Sequence, residues 1–74
     1  MSVDIEFDMT CPFYAKTNLV NEISRYVKHF NGQIDYIEQG LLTKRLHFFI
    51  KVAEKYRKDM EYMYEQLQEY ANRL

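Results

Sequence analysis

Residues 45–52 read Arg45-Leu46-His47-Phe48-Phe49-Ile50-Lys51-Val52, and the fold class depends on whether they form a strand or a helix. As a strand, they place alternate residues, from Leu46 to Val52, on one apolar face. As part of a helix, they continue a heptad pattern of apolar side chains that runs to the end of the sequence. The ten positions of this pattern are Leu42, Leu46, Phe49, Ala53, Tyr56, Met60, Met63, Leu67, Tyr70 and Leu74.

The strand is the better interpretation of residues 45–52. A helix here would be apolar on almost every side, because Phe48, Phe49 and Ile50 are consecutive and Val52 follows closely. Aromatic and β-branched side chains also fit a pleated surface better than a helix. The sequence therefore predicts a strand. The alternative is a mostly α-helical protein in which residues 41–74 form one long coiled-coil helix.

The N-terminal residues predict another strand. Val3, Ile5, Phe7 and Met9 alternate with acidic residues, which is the pattern of a strand with one buried and one solvated face. Pro12 ends this pattern, because proline has no backbone N–H and disfavours helical dihedrals in the residue before it.

A helix and a second strand are predicted between these two segments. Apolar residues recur at helical spacing from about residue 15 to residue 30, and Asn31-Gly32 supplies a left-handed stop. The helical apolar positions are Leu19, Ile23, Tyr26, Val27 and Phe30. A short β-prone run, residues 34–37, then ends before Gly40 and predicts a strand.

The C-terminal residues 53–74 predict a long helix, because they contain no glycine or proline and the heptad pattern is unbroken. Such a helix is about 33 Å long, whereas a strand of seven or eight residues spans about 25 Å. We therefore expect its last turns to extend beyond the sheet and to bind another chain. The predicted partner-binding residues are Phe49, Tyr56, Met60, Met63, Leu67, Tyr70 and Leu74.

Taken in order, these elements predict an α+β fold, a small ferredoxin-like β-α-β-β-α unit with a long C-terminal helix. Because crossover connections are right-handed, the third strand should lie beside the first, with both helices on one face. With 74 residues the chain has room for one core, so residues 1–74 form a single domain. The outer face of the sheet would carry Asp4, Glu6 and Asp8 beside Arg45, His47 and Lys51.

The charge composition argues against a general affinity for nucleic acid or anionic lipid. Ten basic and eleven acidic residues leave a net charge of -1. Residues 44–58 are locally basic, with six Lys or Arg against one acidic residue, which keeps nucleic-acid binding as a minor alternative. The acidic residues of the first strand would share that surface and repel phosphate.

The sequence also predicts the compartment. The single cysteine, Cys11, cannot form an internal disulfide, and the first residues lack the basic and apolar segments of a secretion signal. The apolar runs are far shorter than the roughly 20 residues that span a bilayer. We expect a cytoplasmic protein that does not associate with membranes, and the Gly-poor composition suits a small phage or bacterial protein.

No residue pattern predicts catalysis, a cofactor or a metal site. The chain has no Gly-rich phosphate loop and no activated serine arrangement, and His29 and His47 lie on separate elements without ligand spacing. Cys11-Pro12-Phe13-Tyr14 resembles the redox motif of thioredoxin-like proteins, with Tyr14 in place of the second cysteine. At a helix N-terminus the dipole would lower the pKa of the Cys11 thiol, although a buried structural cysteine is the simpler interpretation.

Parts of the sequence resemble the ACT domain. The likeness lies in residues 19–23, in residues 30–38 with their Ile37-Glu38 step, and in the aromatic residues 46–52. The resemblance implies a ferredoxin-like fold whose members bind amino acids or other small effectors between paired domains. The proline-glycine turn that precedes the first helix in that family is replaced here by Thr10-Cys11-Pro12-Phe13, and no fourth strand is predicted.

The functional expectation is a non-catalytic interaction or regulatory protein, for example an inhibitor. It would bind a protein partner, most simply a second copy in a homodimer, through the apolar seam of the C-terminal helix. An ACT-like amino-acid sensor is the alternative. A nucleic-acid-binding protein and a thiol protein that uses Cys11 are minor alternatives.

Overall fold

Residues 43–53 form a strand in the computed structural model, which describes the whole chain, residues 1–74. The prediction of an α+β fold is confirmed, and the alternative of one helix over residues 41–74 is wrong. The strands are β1 (Ser2–Pro12), β2 (Gln33–Gln39) and β3 (Thr43–Ala53). The helices are α1 (Lys16–His29) and α2 (Arg57–Asn72), each preceded by a single 3-10 turn, Phe13–Ala15 and Glu54–Tyr56.

The three strands form an antiparallel sheet in the order β1-β3-β2. Ile50 of β3 lies between Ile5 of β1 and Ile34 of β2, so the apolar residues of all three strands share one face. Because β3 is the central strand and both helices cover this face, its inward residues from Leu46 to Val52 are buried. This central position explains why a continuous apolar segment adopts the extended conformation.

The other face of the sheet is not covered by a helix, and its residues are exposed or half-exposed. We call it the open sheet face. The predicted cross-strand charge pairs are confirmed, because Asp4 lies opposite Lys51 and Asp8 lies opposite His47. Its residues are Asp4, Glu6, Asp8 and Thr10 of β1, Arg45, His47, Phe49 and Lys51 of β3, and Gln33, Asp35, Ile37 and Gln39 of β2.

The predicted stop after α1 is confirmed in atomic detail. Asn31 adopts a left-handed conformation with φ 59°, and its N–H donates to the Lys28 carbonyl at 2.9 Å. The Gly32 N–H donates to the Val27 carbonyl at 2.9 Å, which completes a Schellman motif. A Cβ on Gly32 would lie 2.8 Å from Val27 Cγ1, so glycine is needed for this close approach.

The predicted overhang of the C-terminal helix is wrong. α2 has 16 residues and is therefore about 24 Å long. β1 has 11 residues and spans about 36 Å. The helix is shorter than expected because Glu54–Tyr56 form a 3-10 turn, and the strands are longer than expected. α2 therefore stays within the sheet, and Ala71 near its end is buried.

The core contains fourteen apolar residues and no buried polar or charged side chain. It fills the single layer between the sheet and the two helices. The core residues are Ile5, Met9, Cys11, Ala15, Leu19, Ile23, Val27, Leu46, Phe48, Ile50, Val52, Met60, Met63 and Ala71. Both helices are too short and too polar to cross a lipid bilayer.

Candidate interaction surfaces

The predicted partner-binding residues of α2 do not form one surface. Met60 and Met63 are 0% and 4% exposed and belong to the protein's own core, so their assignment to a partner is wrong. The reason is that α2 lies directly over β1 and turns this side of the heptad pattern towards the sheet. Tyr56 and Leu67 are half-buried against the same core, and the Tyr56 ring lies 4.7 Å from the Phe30 ring.

Phe49, Tyr70 and Leu74 are exposed, but they lie in different places. Phe49 is part of the open sheet face, where it lies opposite Glu6. Tyr70 and Leu74 lie at the end of α2. Of the seven predicted residues, only these three present large apolar surface to solvent.

Five large apolar side chains gather at one end of the molecule, where β1 leads into α1, β2 turns into β3, and α2 ends. We call this surface the end patch, and its residues are Phe13, Tyr14, Leu41, Leu42 and Leu74. The Phe13 N–H donates to the Leu42 carbonyl at 2.9 Å. The Tyr14 hydroxyl donates to the Leu74 carbonyl at 3.4 Å. These bonds bring three separate parts of the chain together at this end of the molecule.

Gly40 determines the path of the β2–β3 loop that carries two of these residues. Its φ is +96°, and a Cβ at this position would lie 2.1 Å from the Thr43 carbonyl oxygen. The Lys44 Nζ donates to the Gly40 carbonyl at 2.9 Å. This path leaves Leu41 and Leu42 85% and 75% exposed.

The sequence contains an indication of the end patch, the two leucines after Gly40, that the heptad interpretation does not use. The heptad pattern includes Leu42 in the alternative helix seam, and it does not include Leu41, Phe13 or Tyr14. However, Gly40 marks a turn between two β-prone segments, and the two leucines directly follow it. Because hairpin loops are normally polar, consecutive leucines in such a loop indicate a binding surface.

A small ion-pair network lies beside the end patch. The Glu38 carboxylate contacts Lys16 Nζ at 2.8 Å and Lys44 Nζ at 3.5 Å. The hydrogen bond from Lys16 holds the pKa of Glu38 below its usual value, and the same bond raises the pKa of Lys16. The network connects α1, β2 and β3 and places charged groups at the rim of the apolar surface.

His47 is the most constrained side chain of the open sheet face. Its Nδ1 contacts the Asp8 carboxylate, and its Nε2 lies 2.7 Å from Glu6 Oε1. The hydrogen bonds that the ring donates, first to Asp8 and then to Glu6, raise the pKa of His47 above its ordinary value of 6.5. The imidazole also lies edge-on to Phe49, with ring centroids 4.7 Å apart.

The end patch and the open sheet face are the two surfaces on which a function can be based. The chain matches no protein-family model, no curated protein and no solved structure. Its function therefore has to be inferred from the chemistry of these surfaces.

The open sheet face has no arrangement suited to a metal ion. Asp8 and Glu6 bond opposite nitrogens of the His47 ring, so their carboxylates do not converge on one point. No group of three His, Cys, Asp or Glu side chains is placed to hold a metal. The acidic row of β1 also lies next to the basic residues of β3, which weakens the attraction of this face for phosphate.

Cys11 does not have the environment that thiol chemistry requires. The strand β1 continues to Pro12, so Cys11 lies in the sheet opposite Lys44 and not at a helix N-terminus. The side chain is buried, and this burial raises the pKa of the Cys11 thiol. The favoured interpretation of a buried structural cysteine is therefore confirmed, and the lowered pKa of the minor thiol alternative is not found.

Proposed function

We propose that this chain is a non-catalytic cytoplasmic protein that acts by binding another protein through the end patch. The observation that carries this proposal is the gathering of five large apolar side chains at one end of the molecule, led by Leu41 and Leu42. Exposed apolar patches with a polar rim mark association sites on soluble domains.

The structure of the end patch supports a protein partner. The patch combines two aromatic rings in edge contact with two leucines on a turn whose path depends on Gly40, and aromatic anchors lose little conformational entropy on binding. Leu41 and Leu42 are the most exposed side chains of the patch, so they suit an apolar pocket of a partner. Lys16, Glu38 and Lys44 supply charges at the rim, where they favour one orientation of the complex.

A regulatory role, for example as an inhibitor, follows from the same features. The core holds no buried polar or charged side chain, and its one nucleophilic group, the Cys11 thiol, is buried with a raised pKa. A small domain with one anchoring surface acts by occupying a site on a larger protein. The β-α-β-β-α order and the β1-β3-β2 sheet support description of the domain as a ferredoxin-like unit with three strands.

The proposal is tested by site-specific crosslinking followed by affinity measurement. A photo-crosslinking amino acid at Leu41 should capture a partner in the native cell, whereas the same group at Glu65, on the solvent side of α2, should not. Calorimetry with the purified partner then compares the wild type with Leu41→Asp, Leu42→Asp and a control, Tyr62→Asp. Each leucine change should weaken binding by about 30-fold or more, as anchor residues do.

The control has similar exposure outside the patch, because Tyr62 is 61% exposed on α2. Circular dichroism should show that all three variants keep the wild-type fold, since surface changes cost about 0.5 kcal/mol or less. Equal affinity of the leucine variants and the wild type would contradict the proposal.

A further inference from the structure

The two edges of the sheet differ in how they are protected. At the β1 edge, α2 covers the backbone near the end of the strand: the Tyr64 hydroxyl donates to the Asp8 carbonyl at 2.5 Å. Gln68 accepts from the Thr10 N–H at 3.3 Å and donates to the Thr10 carbonyl at 3.4 Å. The other half of this edge carries Asp4 and Glu6. Side-chain caps and like charges are the usual means of closing an edge to a further strand.

The β2 edge has only one such cap, and it comes from the strand itself. Tyr36 donates its N–H to the carboxylate of its own neighbour, Asp35, at 2.9 Å, so the even-numbered residues of β2 direct their backbone groups away from β3. No side chain of α1 or α2 bonds to the backbone of β2. The backbone groups of Ile34, Tyr36 and Glu38 are therefore available to a further strand, once the Asp35 carboxylate releases the N–H of Tyr36.

Apolar side chains lie on both sides of the β2 edge. Ile37 is 56% exposed on the open sheet face, although it is a β-branched residue in a regular strand. On the helical side, Ile34 and Tyr36 are only partly buried. An edge strand with unpaired backbone groups and partly exposed apolar side chains on both faces is a template for pairing.

We infer that β2 pairs antiparallel with β2 of a second copy of this chain, with the two-fold axis at Ile37. The product is a continuous six-stranded sheet in the order β1-β3-β2-β2-β3-β1. The paired segment, residues 35–39, contains no residue of the end patch. This dimer therefore goes beyond the proposed function and does not depend on it.

The register follows from the side chains that meet across the axis. An axis at Asp35 would place two carboxylates directly opposite each other, and an axis at Tyr36 would place Asp35 against Ile37. An axis at Ile37 places Ile37 against its copy and Asp35 against Gln39 of the second copy. This register also places Tyr36 opposite Glu38 of the second copy, and it overlaps residues 35–39 of each strand. An axis at Ile34 would likewise pair isoleucine with isoleucine and Asp35 with Gln33, but it would overlap only residues 33–35 of β2.

The same test of charge excludes self-pairing of β1. An antiparallel pair of β1 strands with its two-fold axis anywhere from residue 4 to residue 8 places Asp4, Glu6 or Asp8 opposite another of these acids, and beyond residue 8 the edge is capped by Tyr64 and Gln68. Like charges directly opposite each other destabilise a strand pair. The sequence therefore permits symmetric growth of the sheet at β2 and opposes it at β1.

Disulfide trapping tests the register directly. In the proposed dimer, the residue 37 pair is a non-hydrogen-bonded pair, whose Cα atoms lie about 4.5 Å apart, within the range of a disulfide. Under mild oxidation Ile37→Cys should give a covalent dimer. The matched control, Glu6→Cys on the β1 edge, and the wild type with its buried Cys11 should not.

Sedimentation equilibrium supplies the second measurement. The wild type should dimerise at about 0.1 mM, and Ile37→Asp, which places two carboxylates on the axis, should raise the dissociation constant about tenfold or more. Because Ile37 is exposed, circular dichroism should show that Ile37→Asp keeps the fold of the monomer.

A wild type that remains monomeric at about 1 mM, or equal crosslinking at positions 37 and 6, would overturn the inference. Ile37→Asp should bind the end-patch partner normally, which separates the two proposals.

Discussion

The ring of Tyr64 stacks on the ring of Phe7, with centroids 4.6 Å apart and planes inclined by 9°. Both side chains are half-buried, and the Tyr64 hydroxyl also donates to the carbonyl of Asp8, the residue after Phe7. One side chain thus attaches α2 both to the apolar face of β1 and to its edge. This contact holds the helix over the strand.

Two substitutions separate these contributions of Tyr64. Tyr64→Phe removes only the hydroxyl and should lower the free energy of unfolding by about 1 kcal/mol. Tyr64→Ala also removes the stacked ring and should cost about 2 to 4 kcal/mol. Urea denaturation followed by circular dichroism measures both. If the alanine variant is no less stable than the phenylalanine variant, the stacking does not hold α2 in place.

Gly40 should be the residue of the β2–β3 loop least tolerant of substitution. Gly40→Ala would place a Cβ 2.1 Å from the Thr43 carbonyl oxygen at a positive φ, and we expect a loss of about 1 to 3 kcal/mol. Gln39→Ala, one residue earlier on an exposed position, should change stability by about 0.5 kcal/mol or less. Thermal unfolding compares the two, and equal effects would show that the loop can relax.

The secondary structure could be predicted from the sequence where one pattern dominated. The alternation of Val3, Ile5, Phe7 and Met9 predicted β1, and Asn31-Gly32 predicted the end of α1. Side-chain shape favours a strand at residues 45–52. The structure shows the reason: β3 is the central strand of the sheet, so its apolar residues are buried in the protein's own core and need no helix of another chain. Lengths were less predictable, because no residue pattern marked the 3-10 turn Glu54–Tyr56.

The candidate surface was harder to predict than the fold. A heptad pattern records which side of α2 is apolar, but it does not indicate whether the protein's own sheet or a partner covers that side. Met60 and Met63 are covered by the sheet, whereas Leu74 is not. The end patch joins Phe13, Leu42 and Leu74 from distant parts of the chain, so it exists only after the strands have paired.

His47 should make stability depend on pH in a defined direction. Its folded pKa lies above 6.5 because Asp8 and Glu6 bond to the ring, so the protonated form is favoured by folding. Its stabilising contribution is fully present below the unfolded pKa and is lost as pH rises through the folded pKa. Arg45 and Lys51 on the same strand and Asp35 on β2 also face this site and set the background charge.

The urea midpoint should therefore fall between about pH 6 and about pH 9 in the wild type, and less so in His47→Gln. An NMR titration of the His47 ring should give a pKa above 6.5. An equal pH dependence in both proteins would show that His47 is not the group responsible.

Cys11 should react slowly with thiol reagents in the folded protein. Burial raises the pKa of its thiol and also limits access to it. We expect the native rate at neutral pH to be about 100-fold or more below the rate in denaturant. Absorbance assays with an aromatic disulfide reagent measure both rates. Rapid native labelling would restore the thiol alternative.

Met60 and Tyr70 occupy the same heptad seam in the sequence, but the structure gives them different environments. Met60 is 0% exposed and lies in the core, whereas Tyr70 is 52% exposed. Met60→Ala should therefore cost about 2 to 5 kcal/mol through the cavity it leaves, and Tyr70→Ala should cost about 0.5 kcal/mol or less. Urea denaturation at low protein concentration measures both for the monomer. Similar losses at the two positions would mean that the seam is covered along its whole length, as in a helical dimer, and that the sheet is not the surface that buries α2.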